Sequence, residues 1–311
     1  MKRFFFFLLL LPFIANAQNG SFTESELALN EMLPGTLYLP DSDGPHTLVL
    51  LIAGSGSTDR NGNQAGLKNN SLRFLAQELA KRGIAVYSYD KRMFALVSKE
   101  GFNERDLTFD DFIGDVVLAI SRFKNDKRFK SVIPAGHSEG SLIGMMAAGR
   151  AKADGFISIA GAGNPIDVVI EEQITKQAPA LAEETRNIFA ELKKGDTVKV
   201  TNPLLMSLFR PSVQPYMISW LKYDPQIEIR RLDMPVLILN GTRDFQVGEK
   251  EAELLKAAKP EAELVVIENM NHVLKEIKTD DKENMASYTN PDLPVMKGLV
   301  DAISEFVMKV K

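Results

Sequence analysis

Six short apolar runs, spaced along most of the chain, constrain its fold more than any other feature. Residues 47–53 (TLVLLIA), 84–89 (IAVYSY), 131–135 (SVIPA), 155–160 (GFISIA), 235–240 (PVLILN) and 263–267 (ELVVI) are each too short for a typical helix. Runs of this kind suit strands covered on both faces, as in a parallel sheet. The stretches between them carry helical spacing instead. Leu72, Leu75, Ala76 and Leu79 recur at that spacing, and Gly83 follows as a C-cap. Phe112, Val116, Ala119, Ile120 and Phe123 mark a second amphipathic helix, and residues 140–149 and 249–258 two more. Residues 294–311 repeat the pattern through Met296, Leu299, Val300, Ile303, Phe306 and Val307. A further short strand is read at 36–39, ending at Pro40 and followed by turn residues 41–45. Strands alternating with helices predict an α/β protein with a mostly parallel sheet and helices on both faces.

One segment interrupts this alternation. Residues 164–231 contain no convincing strand, but have helical stretches at 171–194 and an aromatic-rich stretch at 204–223. The segment is short for a domain with its own core. It is read as a helical cap inserted over one end of the sheet, leaving 18–163 and 232–311 as the core domain. No internal repeat or long flexible linker is present.

Composition excludes several functions. Lys+Arg 37 against Asp+Glu 41 gives a net charge of −4, without the basic excess that nucleic-acid binding needs. The absence of cysteine rules out disulfides, thiolate metal sites and a cysteine nucleophile. No pair among the three histidines has metal-ligand spacing. Asp41-Ser42-Asp43-Gly44 matches the opening of a calcium loop, but the twelfth position is Ile52, so it reads as a turn. At the N-terminus, Lys2 and Arg3 precede an apolar run at 4–11, and Ala15-Asn16-Ala17 supplies a small-x-small site. Residues 1–17 are therefore expected to be a secretory signal peptide cleaved after Ala17. The apolar run is shorter than the roughly 20 residues a membrane span needs, so no stable membrane anchor is expected. The protein is expected to be periplasmic or secreted.

The most specific motif is Gly136-His137-Ser138-Glu139-Gly140, a G-x-S-x-G pentapeptide. It directly follows SVIPA and directly precedes the small-residue helix SLIGMMAAG, the context a nucleophile elbow requires. A serine hydroxyl is a weak nucleophile until a base takes its proton. His46 precedes a strand and belongs at the opposite end of the sheet. His137, beside the serine, is expected to point elsewhere. That leaves His272, just past the strand ELVVI, consistent with the Ser…Asp…His chain order found with such elbows. Asp244, after the strand PVLILN, is the favoured acid to orient His272. Asp233 lies at that strand's entrance and Asp167 near the cap's start, both weaker rivals. An oxyanion hole needs two backbone donors: Glu139 N–H, next to the nucleophile, and one from Ala53-Gly54-Ser55-Gly56-Ser57, with Ser55 favoured. Asp59 stands where a phosphate-binding G-x-G-x-x-G would need its third glycine. Asp59 and Arg60 are expected to pair and stiffen this loop. In the cap, Phe209, Tyr216, Met217 and Trp220 are candidate substrate-binding residues, and Arg210 is read as a surface arginine.

With Ser138, Asp244 and His272 in this order, the chain resembles the α/β-hydrolase fold superfamily. Within it, the chain is similar to the bacterial carboxylesterase or serine-aminopeptidase-like branch. The stretches that carry the likeness are GSGSTDRNGN, YDKR, GHSEG, LFRPSVQPYMISWLKYDP, LNGTRDFQV and ENMNHVLK. The resemblance runs from about Thr36 to the C-terminus. It implies an eight-stranded sheet, a helical cap, an acyl-enzyme mechanism and no cofactor. Two departures stand out: Ala53-Gly54 replaces the usual histidine-glycine, and Met93-Phe94-Ala95 replaces a glycine-rich turn after Asp90-Lys91-Arg92. The expected activity is hydrolysis of a small-molecule carboxylic ester. A peptidase with the same triad is the nearest alternative, with Glu171-Glu172 or Glu183-Glu184 available to capture a substrate amino terminus, although helical surface charge explains these pairs more simply. A non-catalytic binding module on the same fold is the other alternative.

Overall fold

A computed structural model describes residues 20–97 and 101–310; the expected signal peptide lies outside them. The chain opens with strands β1 (Phe22–Glu26), β2 (Gly35–Pro40) and β3 (His46–Ile52), then helix α1 (Ser71–Ala80) and strand β4 (Ala85–Tyr89). Helices α2 (Met93–Val97) and α3 (Phe109–Lys124) lead to β5 (Phe129–His137), α4 (Glu139–Ala151) and β6 (Phe156–Ile159). Five helices follow: α5 (Ile166–Gln177), α6 (Ala182–Leu192), α7 (Met206–Phe209), α8 (Gln214–Trp220) and α9 (Pro225–Arg230). The chain then returns to the sheet with β7 (Val236–Gly241), α10 (Glu249–Ala258) and β8 (Glu263–Ile267), and closes with α11 (Asp281–Ser287) and α12 (Lys297–Lys309).

The eight strands form one sheet in the order β1-β2-β4-β3-β5-β6-β7-β8. From β4 through β8 all neighbours are parallel, while β2 pairs antiparallel with both β1 and β4. β1 (FTESE) has no apolar run to betray it, because it is an edge strand whose residues are mostly exposed. β3 shows why the central strands are apolar throughout. Leu48, Leu50 and Ile52 face one core with α3, α4 and α10, while Val49 and Leu51 face the other with α1 and α12. Period-two alternation with both faces buried favours apolar residues throughout, and the polar exceptions are paired, as Thr47 Oγ1 is with Ser131 Oγ at 3.1 Å. The turn into β4 uses Gly83 at φ +80, a left-handed conformation that a side chain disfavours. At the start of α3, Asp111 accepts the Thr108 backbone N–H at 2.8 Å, which satisfies a donor left free by the helix end.

The strand order places a functional site. β4 lies on one side of β3 and β5 on the other, so the chain changes direction across the sheet between β3 and β5. Parallel α/β sheets open a crevice outside the carboxyl ends of strands at such a switch point. The loops leaving β3 and β5 meet there.

Candidate active site

At the end of β5 the backbone turns sharply. Ser138 adopts φ 56, ψ −122, and α4 begins at the next residue. The Ser138 N–H donates to Ile159 O at 2.9 Å, and Ser138 O accepts from Ser141 N–H at 2.9 Å, so the turn is held on both sides. Both flanking glycines are required by contact. A Cβ on Gly136 would lie 2.0 Å from Gly140 O, and one on Gly140 would lie 2.5 Å from Ile52 O. Strand and helix therefore approach closely only because these positions lack side chains. The Ser138 side chain opens into a cavity of about 520 Å³.

His272 enters the same cavity from the loop after β8. Its Nδ1 lies 2.7 Å from Asp244 Oδ2, with both side chains almost wholly buried. The other Asp244 oxygen accepts the Gln246 and Val247 backbone N–H groups at 2.8 and 2.9 Å. The carboxylate is thus held as an acceptor, so Nδ1–H donates to it and Nε2 is the ring nitrogen left outside this pair. The loop carrying His272 is pinned by Asn271, whose side-chain amide donates to Asn284 Oδ1 (2.8 Å) and Ser287 Oγ (2.7 Å). Of the rival acids, Asp233 is exposed, and Asp167 is buried against Lys193. His46 opens β3, beside Phe129 at the start of β5, at the end of the sheet away from Ser138.

His137 does not point away from the site. Its Nε2–H donates to His272 O at 2.8 Å, and the two rings lie 4.8 Å apart. Burial and the neighbouring His272 ring push its pKa down to about 4, so it is neutral at pH 7 and braces the backbone of His272.

The loop after β3 closes the opposite wall. A Cβ on Gly54 would lie 3.2 Å from Ser138 Cβ, so the backbone here passes directly beside Ser138. Ser55 O accepts from Thr58 Oγ1 and Gln64 Nε2, each at 2.8 Å, which sets the loop's orientation. Asp59 and Arg60 do not pair, contrary to the sequence expectation. Asp59 caps its own turn by accepting the Asn61 and Asn63 N–H groups, while Arg60 reaches Asp90 at 2.8 Å and Glu26 on β1. Adjacent side chains on this turn diverge, and the carboxylate two residues from its own backbone donors is the closer partner.

Tyr216, Met217 and Trp220 line the cavity from α8. Phe209 does not: it is wholly buried inside the helical insertion, its ring edge-on to Phe189 at 5.1 Å. Arg210 borders the cavity and is held by Glu104, with Nε 3.0 Å from Oε2, rather than lying free on the surface. The reading from sequence missed the most buried charged pair in this region. Lys91 Nζ lies 2.6 Å from Glu139 Oε1, and each side chain is only 3% exposed. The signal was available in YDKR, a cation placed just past the carboxyl end of a buried strand.

The family described as "Serine aminopeptidase, S33" matches residues 66–276, a span that includes Ser138, Asp244 and His272. The chain belongs to this family of α/β-hydrolases. It is 31% identical over 297 residues to Esterase EstD of Thermotoga maritima, covering 93% of this chain and 68% of that protein. Solved structures agree on the fold. Est1E from Butyrivibrio proteoclasticus superposes with TM-score 0.56 at 16% identity, over 89% of this chain and 95% of that one. The Pyrococcus furiosus esterase Pf2001 does so with TM-score 0.53 at 14% identity, over 97% and 98% of the two chains. Dienelactone hydrolase from Anabaena variabilis gives TM-score 0.52 at 17% identity, over 94% and 99%.

Proposed function

We infer that the protein is a serine hydrolase that cleaves carboxylic esters, with Ser138 as nucleophile, His272 as base and Asp244 as the acid that orients it. The observation that carries this reading is the His272–Asp244 pair at 2.7 Å, opening on the same cavity as a serine on a strained elbow. Ser138 Oγ attacks the ester carbonyl carbon as His272 Nε2 takes its proton, and the carbonyl electron pair moves onto oxygen. The Glu139 and Ser55 N–H groups bind that oxyanion. His272 then protonates the departing alcohol. Water, activated by the same histidine, releases the acid and regenerates Ser138.

An aminopeptidase needs an anion to hold the substrate ammonium, and the cavity's lining favours the ester instead. Among the described residues, the only acidic one lining it is Glu139, and that carboxylate is already paired with Lys91. Glu183 and Glu184 border a separate surface groove, and Glu172 reaches Lys250. The walls contributed by the insertion, including Ile166, Val169, Ile170 and Leu208, are apolar and suit an acyl chain.

The test is hydrolysis of p-nitrophenyl esters from acetate to laurate beside aminoacyl-p-nitroanilides, by wild type and Ser138→Ala. Ester turnover that vanishes in Ser138→Ala, with fluorophosphonate labelling of wild type alone, is the expected result. Cleavage of anilides only would replace the esterase with a peptidase. Folded protein silent on both panels and unlabelled would leave a binding module. We also propose export, on the basic, apolar and small-x-small order of residues 1–17. A mature N-terminus at Gln18 in the exported fraction is the result that order predicts.

A further inference from the structure

Lys91 follows β4 and Glu139 opens α4, so the sheet brings together two charges that are far apart in sequence. Besides its contact with Glu139, Lys91 Nζ donates to Gly54 O at 2.9 Å. That carbonyl belongs to the same peptide group as the Ser55 N–H. In a planar trans peptide the C=O and N–H point in opposite directions, so a donor on the oxygen aims the N–H the other way. A Cβ on Gly54 would lie 3.2 Å from Ser138 Cβ, so this peptide runs beside the serine. Hydrogen bonding to a carbonyl also polarises the peptide and strengthens its N–H as a donor. The other end of the clamp is the residue whose own N–H is the second oxyanion donor. Phe112 covers the ammonium, its ring centroid 5.0 Å from Nζ, and Tyr216 reaches the Glu139 carboxylate as a hydrogen-bond partner from the helical insertion.

We propose that Lys91 is a positioning residue for the oxyanion hole: its ammonium, anchored by the Glu139 carboxylate, orients and polarises the Gly54–Ser55 peptide toward the reacting carbonyl oxygen. The proposal rests on the serine-hydrolase reading above. It assigns work to a buried ion pair that stability alone does not require, since such pairs are often replaceable by apolar residues without loss.

The experiment uses Lys91→Met, Glu139→Gln and the double variant Lys91→Met/Glu139→Gln. Each is assayed for kcat and KM on p-nitrophenyl butyrate, for thermal stability, and for inhibition by an alkyl trifluoromethyl ketone and by butyrate. Ser138 Oγ adds to the ketone carbonyl carbon, and the electron pair moves to an oxygen that must sit in the oxyanion hole; butyrate makes no such adduct. Lys91→Met leaves the Glu139 charge buried alone and is expected to lose stability, which the double variant regains by removing that charge. The kcat is expected to stay low in both, by on the order of 10- to 100-fold, with KM within about twofold of wild type. Ketone affinity should fall in proportion to kcat/KM while butyrate affinity holds. In Glu139→Gln the amide oxygen still accepts from Lys91, so a smaller loss is expected. Recovery of wild-type kcat together with stability in the double variant would show that the pair is only structural and overturn the proposal. So would unchanged ketone affinity in a variant with lowered kcat. Turnover surviving in Ser138→Ala would instead overturn the serine-hydrolase reading, and this one with it.

Discussion

At Ser138 the backbone carries a conformational cost. A residue with a Cβ at φ 56, ψ −122 is strained by about 1–3 kcal/mol, and only glycine adopts this conformation freely. Against that, glycine at any site loses about 0.4–1 kcal/mol through the larger entropy of the unfolded chain. The strain is the larger effect, so Ser138→Gly should be more stable than Ser138→Ala by about 1 kcal/mol, with both inactive. A urea midpoint for Ser138→Gly below that of Ser138→Ala, the order that chain entropy alone gives, would show that the elbow is unstrained. The proposed role of Asp244 makes a separate prediction. Asp244→Asn keeps the shape but presents an amide where His272 Nδ1–H donates, and favours the wrong tautomer. A loss of kcat of about 10³- to 10⁴-fold is expected, with the protein still folded. Near-wild-type kcat in that variant would mean that another group orients His272.

Among the elements, the helical insertion between β6 and β7 walls much of the cavity that holds Ser138. Its helices α5 and α8 supply apolar walls to the cavity, and stacking of Phe109 on Trp220 (5.1 Å) ties α8 to α3 in the core. Leu208 is half-buried beside these walls, so its truncation costs less stability than that of a core leucine. Leu208→Ala should move the chain-length optimum of p-nitrophenyl ester hydrolysis to longer acyl groups by about one or two carbons, at roughly 0.8 kcal/mol per methylene buried. An unchanged optimum would place the acyl chain elsewhere in the cavity. Phe209, one position along, has no such effect to offer, because its ring is spent on packing against Phe189.

For the molecule as a whole, stability depends on pH through buried lysine and tyrosine side chains. Lys275 is wholly buried; its Nζ donates to Leu293 O at 2.5 Å and lies 4.8 Å from the centre of the Phe74 ring. Burial pushes its pKa down to about 8, against an ordinary value of 10.5. Below pH 8 the amine is charged in both folded and unfolded chains, and the folded state carries the full penalty. Between about 8 and 10.5 the unfolded chain binds more protons than the folded one, so stability from this group rises with pH. Burial of Tyr38 and Tyr288, whose pKa values rise to about 12, acts in the opposite sense above pH 10. Comparing wild type with Lys275→Met cancels the tyrosines. The variant should melt a few °C higher at pH 7, and the difference should narrow toward pH 10. A difference that stays constant with pH would show that Lys275 titrates normally.

The sequence alone determined the strands from β2 onward, the core helices α1, α3, α4, α10 and α12 and the elbow, but not the short helices α2 and α11, because burial on both faces forces continuous apolar runs and the tight turn demands glycine at Gly136 and Gly140. Scarcity of histidine narrowed the candidate base to His272. β1 escaped notice because an edge strand buries too little to leave an apolar pattern. Only the tertiary structure decided which side chains face each other: Arg60 with Asp90 rather than Asp59, His137 against His272, and Phe209 turned inward while Tyr216 reaches the cavity. Gly54 follows β3, Lys91 follows β4 and Glu139 opens α4, and no periodicity records that they meet. Local patterning follows from which faces exclude water, whereas pairing across a switch point depends on strand order, and strand order is set by the packing of the whole sheet.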